Sequence, residues 1–338
     1  MSSRPARHLV EWACERGVEE AAVMEALGLE GGERGGADDR LPVSRFLDAL
    51  EFVVRELGGG EAPVGLTMTE GWGVELFGVI GYLIYTSATL EVALARVIEF
   101  KGLWSDAEEM WCEESRGVAS VCWRVLGPER PAHRVLADMA LSDLVGGTQR
   151  LMGRALPLHE IWLPFEAPKD PAPYEEIAAG ASLRFDAPWM RVAMDAAAMR
   201  WPMPAGDEIL HAYFVAQAAS RHHLHAESSV SERARSHLWR ALVGGAPSVA
   251  EVARSMGMSS RTLQRHLRSD GVTYAGLLDR VRHALALEHL ESEVSVAELS
   301  WLLGFSEPRA LHRAFKRWTG TTPALTRERV KAERGRGG

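Results

Sequence analysis

The chain has 338 residues and a formal net charge of −8; its 46% hydrophobic and 25% charged residues are the balance of an ordinary soluble globular protein, long enough for two domains. Three cysteines, Cys14, Cys112 and Cys122, exclude a disulfide framework and fit a reducing cytoplasm. The N-terminus has no continuous apolar h-region, and the greasiest run, LFGVIGYLIY (76–85), is about half of what spans a bilayer. Neither a secretory signal nor a membrane anchor is expected, and that run reads as buried core.

In chain order, the first elements are short helices. HLVEWACERG and EEAAVMEALGL carry apolar residues at three- and four-residue spacing, with Gly17 and Gly28 as stops. The Gly-rich segment 30–40 has no strand before it and lacks dinucleotide spacing, so it reads as a loop. A helix over about 43–57 follows. In TSATLEVALARVIEFKGLW, Thr89 is a candidate N-cap, and Leu90, Leu94, Val97 and Ile98 share one side.

EEMWCEES and VASVCWRVLG, joined through Ser115, Arg116 and Gly117, predict a β-hairpin. Cys112 and Cys122 flank that turn and could approach each other; buried free thiols are the alternative. Residues 132–153 predict a helix, and 159–165, 181–185 and 190–195 predict short strands, with Pro-rich EAPKDPAPYEE between the first two of them. The expected fold is therefore an α+β domain over 1–220, helices with a small, mainly antiparallel sheet. Residues 221–231, RHHLHAESSVS, read as a linker. Their histidines, His222, His223 and His225, lack the Cys or carboxylate companions of a metal site.

The remainder, 232–330, reads as all helix, ahead of a tail at 331–338 expected to be disordered. Charge divides the same way. From 232 onward there are 18 Lys and Arg against 11 Asp and Glu, whereas the first 231 residues hold 20 against 35. A basic module of this kind suits a polyanionic partner.

Residues 248–267, SVAEVARSMGMSSRTLQRHL, explain the cations. Ser248 can cap a helix whose inner face is Val249, Val252, Ala253 and Met256. Gly257 suits a tight corner, and Ser259 can cap a second helix with Leu263 and Leu267 inside. Arg261, Gln264, Arg265 and Arg268 are left outside, and Arg and Gln are residue types that pair with guanine and adenine edges. The pattern recurs at 295–315: Val296, Ala297 and Glu298 repeat 249–251, Gly304 repeats Gly257 and Ser306 repeats Ser259. With one extra residue in the corner, Leu311, Arg313 and Phe315 correspond to Leu263, Arg265 and Leu267. Between the copies, 273–291 predicts a helix of roughly 27 Å at 1.5 Å per residue. On it, Tyr274, Leu277, Leu278, Val281 and Leu285 form an apolar stripe. Such a spacer suits two outer helices aimed at major grooves about 34 Å apart on one DNA face.

The stretch from 248 to about 325, closing on Gly320-Thr321-Thr322-Pro323, resembles the AraC/XylS family of bacterial transcription regulators. Residues 77–97 and 183–204 resemble, more loosely, the ligand-binding domain of the ornithine-utilisation-regulator branch. The resemblance implies an effector-sensing, usually self-associating N-terminal domain ahead of a double helix-turn-helix. It implies double-stranded promoter DNA, RNA polymerase, a small-molecule effector and a second copy of the chain as partners. It also implies an activating role and a cytoplasmic, nucleoid-associated location, and it calls for no cofactor.

The resemblance places base reading on Arg261, Gln264 and Arg265, then on Arg309, His312 and Arg313. Pro308 falls on a reading position and donates nothing. Ser260 and Glu307, at the openings of the outer helices, complete the DNA-facing set. Arg268, Lys316 and Arg317 are phosphate candidates. Trp72, Tyr82, Tyr85, Trp104 and Trp123 are candidates for an effector pocket, although core packing is the commoner fate of such residues. A DNA-binding regulator whose N-terminal domain only dimerises is the second reading. An enzyme would draw on the carboxylates Asp106, Glu108, Glu109, Glu113 and Glu114, yet no nucleophile, base and orienter set accompanies them.

Overall fold

Periodic apolar residues and left-handed glycines set the N-terminal helices. In a computed structural model describing residues 1–29, 40–59, 63–69, 72–127, 129–228, 230–242, 245–290 and 294–334, helix α1 spans Arg4–Cys14, α2 Glu20–Leu27 and α3 Val43–Glu56. Gly17 and Gly28 take φ of +86° and +67° at the ends of α1 and α2, where a side chain would be strained. The Gly-rich segment lies outside the described residues, apart from Arg40. Two shorter helices follow, α4 (Val64–Met68) and α5 (Val79–Thr86), then α6 (Leu90–Phe100), with a 3-10 turn over Val74–Phe77 before α5. The Thr89 hydroxyl accepts from the Val92 amide at 3.3 Å, so Thr89 caps α6.

The hairpin is β1 (Glu108–Ser115) and β2 (Val118–Val125), turning through Arg116 and Gly117, both at positive φ. Three more strands, β3 (Leu158–Trp162), β4 (Ser182–Arg184) and β5 (Met190–Asp195), complete a sheet ordered β1-β2-β5-β3-β4. Every pairing is antiparallel except β3 with β4. Register separates the two hairpin cysteines. Cys112 stands opposite Val121 and Cys122 opposite Trp111, so with a side-chain period of two they face opposite sides of the sheet, and both are free. Helix α7 (Ala132–Ser142) passes through a π-helical turn, Asp143–Gly147, into α8 (Thr148–Met152). The Pro-rich stretch contains a helix that the prolines conceal, α9 (Ala172–Ala178), and α10 (Ala196–Met199) follows β5.

The chain divides into two units, Met1–His225 and Ala226–Gly338. The division falls inside α11 (Glu208–Ser228), so residues 221–228 of the expected linker are helical. Within the first unit, Phe214, Val215 and Ala218 of α11 pack with Ile80 and Leu83 of α5 and Phe100 of α6. The His222 ring stands edge-on to Phe100 at 5.9 Å.

The second unit is all helix: α12 (Val230–Ala241), α13 (Val249–Ser255), α14 (Ser260–Ser269), α15 (Tyr274–Leu290), α16 (Val296–Leu302), α17 (Pro308–Thr319) and α18 (Pro323–Arg334). Helix α18 runs through Arg334, so the first half of the expected disordered tail is helical; residues 335–338 lie outside the described set. On α15, Leu277, Val281, Leu285 and Ala286 are buried. His283 on the same helix meets Trp318 of α17 at 5.5 Å. No described helix is long and apolar enough to cross a membrane.

Candidate nucleic-acid interface and ligand cavity

The two helix-turn-helix units repeat down to their hydrogen bonds. Ser248 and Glu251 form a reciprocal capping box at the start of α13, and Ser295 and Glu298 form the same box on α16. At the corners the Gly257 amide bonds the Arg254 carbonyl and Met258 bonds Ala253; Gly304 bonds Trp301 and Phe305 bonds Ser300 in the same way. These are paired Schellman closures, and the glycines hold φ of +71° and +67°. The outer helices differ at their starts. Ser259 caps α14 by accepting from the Thr262 amide at 3.1 Å, whereas α17 begins one residue later in the repeat, with Glu307 at its N-cap and Pro308 in its first turn.

Each outer helix buries an apolar face, Leu263 and Leu267 on α14, and Leu311, Ala314, Phe315 and Trp318 on α17. Opposite it, Arg261, Arg265 and Arg268 are exposed on α14, and Arg309, Arg313, Lys316 and Arg317 on α17; Ser260, Gln264 and His312 are half-buried at the edges. Arg261, Arg265, Arg268, Arg309 and Lys316 have no acidic partner among the described residues. Two of the predicted contacts are tied to acids. Arg313 pairs with Glu307 at 3.3 Å, and Arg317 reaches Asp279 of α15. Sequence spacing missed both, because one partner lies a turn and a half away on an irregular helix start and the other on a different helix.

Helix α15 fastens the arrangement. The Tyr274 hydroxyl donates to the Pro247 carbonyl at 2.7 Å, just ahead of α13. The Arg282 guanidinium donates to the Leu303 and Gly304 carbonyls at 2.8 Å each and lies over the Phe305 ring. Burial lowers the Arg282 pKa, with Asp279 opposing. A side chain at Gly304 would meet the Ala246 backbone at 2.5 Å, so the second corner sits directly against the approach to the first unit.

The N-terminal unit encloses a cavity of about 550 Å³ between α5, α6, the face of β1 and β2, and the α7–α8 segment. Of the aromatic candidates, Trp72, Tyr85, Trp104 and Trp123 line it and Tyr82 does not. Ile80, Gly81, Ile84 and Tyr85 form the cavity side of α5, and at 100° per residue Tyr82 is turned off that side, where it stacks on Phe214 of α11 at 5.0 Å. The run 76–85 is thus partly a cavity wall, and Tyr82 and Tyr85 are exposed. Polar groups that pattern reading did not single out as pocket residues also line the cavity: Lys101, Glu108, Asp143, Thr148 and Arg150.

Those groups differ in how they are satisfied. Burial raises the Glu108 pKa, but the Trp123 indole donates to its carboxylate at 3.0 Å, and Lys101 and the chain's own amino terminus add positive charge nearby. Burial pushes the Asp143 carboxyl up to about 7, with Arg150 alone opposing. The other carboxylates of the hairpin region are engaged: Asp106 pairs with Arg40 at 2.8 Å, Glu109 accepts from Arg124 at 2.7 Å, Glu113 from Trp111 at 3.0 Å, and Glu114 lies 3.9 Å from Arg200.

Residues 17–203 match the arabinose-binding domain of the AraC transcription regulator, N-terminal, and residues 252–329 match a helix-turn-helix domain. The chain belongs to the AraC family of transcription regulators. Relatives of this AraC-type chain extend along nearly all of it. It is 27% identical to the ornithine utilization regulator of Pseudomonas aeruginosa over 328 residues, 96% of this chain and 95% of that one. It is 25% identical to the HTH-type transcriptional regulator VirS of Mycobacterium tuberculosis over 323 residues, 91% of each. Among solved structures, the transcriptional regulator CdpR from Pseudomonas aeruginosa aligns over 91% of this chain and 96% of its own at 21% identity, with a TM-score of 0.45. Family membership makes this AraC-type protein a DNA-binding transcription regulator with an N-terminal domain of the ligand-binding class.

Proposed function

We infer that this regulator is an effector-responsive activator, with sensing assigned to residues 1–220 and DNA recognition to residues 232–330. A small molecule in the N-terminal cavity shifts that domain between two states with different effector affinity, and the shift alters how the two helix-turn-helix units engage a promoter and RNA polymerase. The observation that carries the reading is the position of α11. Its Phe214, Val215 and Ala218 pack on α5 and α6, whose Ile80, Ile84 and Val97 face the cavity, and the same helix continues to the boundary of the DNA-binding unit. Self-association as a homodimer is supported by Ile209, Leu210 and Tyr213, three large apolar side chains exposed on α11.

On DNA, Arg261, Gln264 and Arg265 read bases from α14, with Ser260 beside them. Arg309, His312 and Arg313 read from α17, Arg313 exchanging its bond to Glu307 for a base edge. Arg268, Lys316 and Arg317 hold phosphates. The test is capture of genomic fragments by the full-length protein, followed by binding titrations with and without metabolites suggested by the neighbouring genes. Tight DNA binding that no metabolite changes would leave the N-terminal domain as a dimerisation module and overturn the sensing half of the reading.

A further inference from the structure

We propose that the effector is an apolar amine, a mainly hydrophobic molecule carrying one cationic nitrogen that docks on Asp143. The proposal rests on the reading of the N-terminal cavity as the effector site.

Most of the wall, including Ile84, Leu90, Leu94, Val97, Met139 and Leu144, is hydrocarbon. A polyhydroxylated ligand such as a sugar would lose its water there without gaining enough hydrogen bonds in return. The polar groups that do face the cavity are unequally provided for. Lys101 donates to the Glu108 carbonyl at 3.1 Å. The Glu108 carboxylate has the Trp123 indole, Lys101 and the chain's amino terminus around it. Arg150 is exposed, so water solvates its charge. Asp143 is half-buried at the cavity wall and makes no hydrogen bond or ion pair among the described residues, with Arg150 the one opposing charge. A half-buried carboxylate without a hydrogen-bond donor is stabilised most by an arriving cation. An arriving anion would meet Asp143 and Glu108 at close range, while of the cationic side chains lining the cavity Lys101 is already bonded to the Glu108 carbonyl and Arg150 is exposed.

Local backbone construction points to the same spot. The helix widens to a π-turn over Asp143–Gly147, a feature that often marks functional positions in helices. A Cβ at Gly147 would stand 2.8 Å from Asp143 Oδ1, and one at Gly146 would stand 3.3 Å from Arg150 Nη1. Gly147 therefore leaves room for the carboxylate, and Gly146 for the Arg150 guanidinium. The rings of Trp72, Phe77 and Trp104, which also line the cavity, present π-systems compatible with a cation and with an apolar body.

The experiment titrates the full chain with decylamine, decanol and decanoate below their micelle concentrations, by calorimetry and tryptophan fluorescence, alongside Asp143→Asn and the cavity-filling Leu94→Trp. Decylamine should bind at least roughly tenfold more tightly than decanoate, and Asp143→Asn should lose roughly tenfold or more of the decylamine affinity, as removal of one member of a buried charge pair does. Decanol should bind wild type and Asp143→Asn alike, which also certifies that the variant is folded, and Leu94→Trp should weaken all three ligands. Tighter binding of decanoate, or decylamine binding indifferent to Asp143→Asn, overturns the amine while leaving the cavity as an effector site. Failure of all three to bind wild type, or binding unaffected by Leu94→Trp, overturns the effector-site reading and the amine with it.

Discussion

The two corner glycines occupy matching places in the repeat, yet alanine at each should have different consequences. Both sit in the left-handed region, at φ +71° for Gly257 and +67° for Gly304. Forcing alanine there costs roughly 1–2 kcal/mol, partly offset by about 0.4–1 kcal/mol from a less flexible unfolded chain. At Gly257 nothing lies within 4 Å of the new methyl, so Gly257→Ala should destabilise by about 1 kcal/mol. At Gly304 the methyl would meet the Ala246 amide nitrogen at 2.5 Å and its Cα and Cβ at 3.0 Å. Those are backbone and Cβ atoms that cannot rotate away, so an overpacking cost of roughly 1–3 kcal/mol is added. Gly304→Ala should therefore destabilise by about 2–4 kcal/mol in total. Hydrogen exchange of the full-length protein reads this locally, because protection of α16 and α17 amides falls with the opening free energy of that region. Equal loss of protection in the two variants would refute the reasoning, since it would mean that the contact between the second corner and Ala246 carries no energy.

Arg265→Ala should cost roughly 1–3 kcal/mol on a cognate operator and relax base preference at one position, whereas Lys316→Ala should weaken all sequences alike and flatten the salt dependence; identical behaviour in competition titrations at several salt concentrations would void the division into readers and positioners. Arg282→Gln removes two bonds to the Leu303 and Gly304 carbonyls, so footprinting should show protection lost over the half-site of α17 and retained over that of α14. Asp138 is fully buried beneath the Tyr174 hydroxyl, which donates to it at 2.9 Å, and burial pushes its carboxyl up to about 7. Its raised folded-state pKa makes a stability contribution that is present below the unfolded value near 4 and is lost as pH rises to about 7. Asp138→Asn keeps an acceptor for Tyr174 and cannot ionise, so its stabilisation over wild type should grow from pH 5 to pH 8, to at most about 4 kcal/mol. Urea melts with a gain independent of pH would contradict this.

The DNA-binding half was legible because its determinants are local. Capping serines, corner glycines and leucines four apart act within one or two helical turns, and their repetition gave the same hydrogen-bond pattern twice. The hairpin and the cap at Thr89 were readable for the same reason. Where pattern reading fell short, the deciding partner was distant in the chain or hidden by composition. Helix α9 lies inside a Pro-rich stretch, and residues 221–228 continue α11 without an apolar period to announce it.

The sequence by itself determined which helices form the two helix-turn-helix units, where they turn and which faces carry the cations, since each of those outcomes depends on residues a few positions apart. Only the tertiary structure decided that Tyr82 stacks on Phe214 instead of facing the cavity, that the Glu108 carboxylate receives a hydrogen bond while Asp143 has only the charge of Arg150 nearby, and that one of two matched glycines meets a neighbour's backbone. Those outcomes depend on which surfaces are brought together and on how far each charge is taken from water, and both are properties of the packed chain.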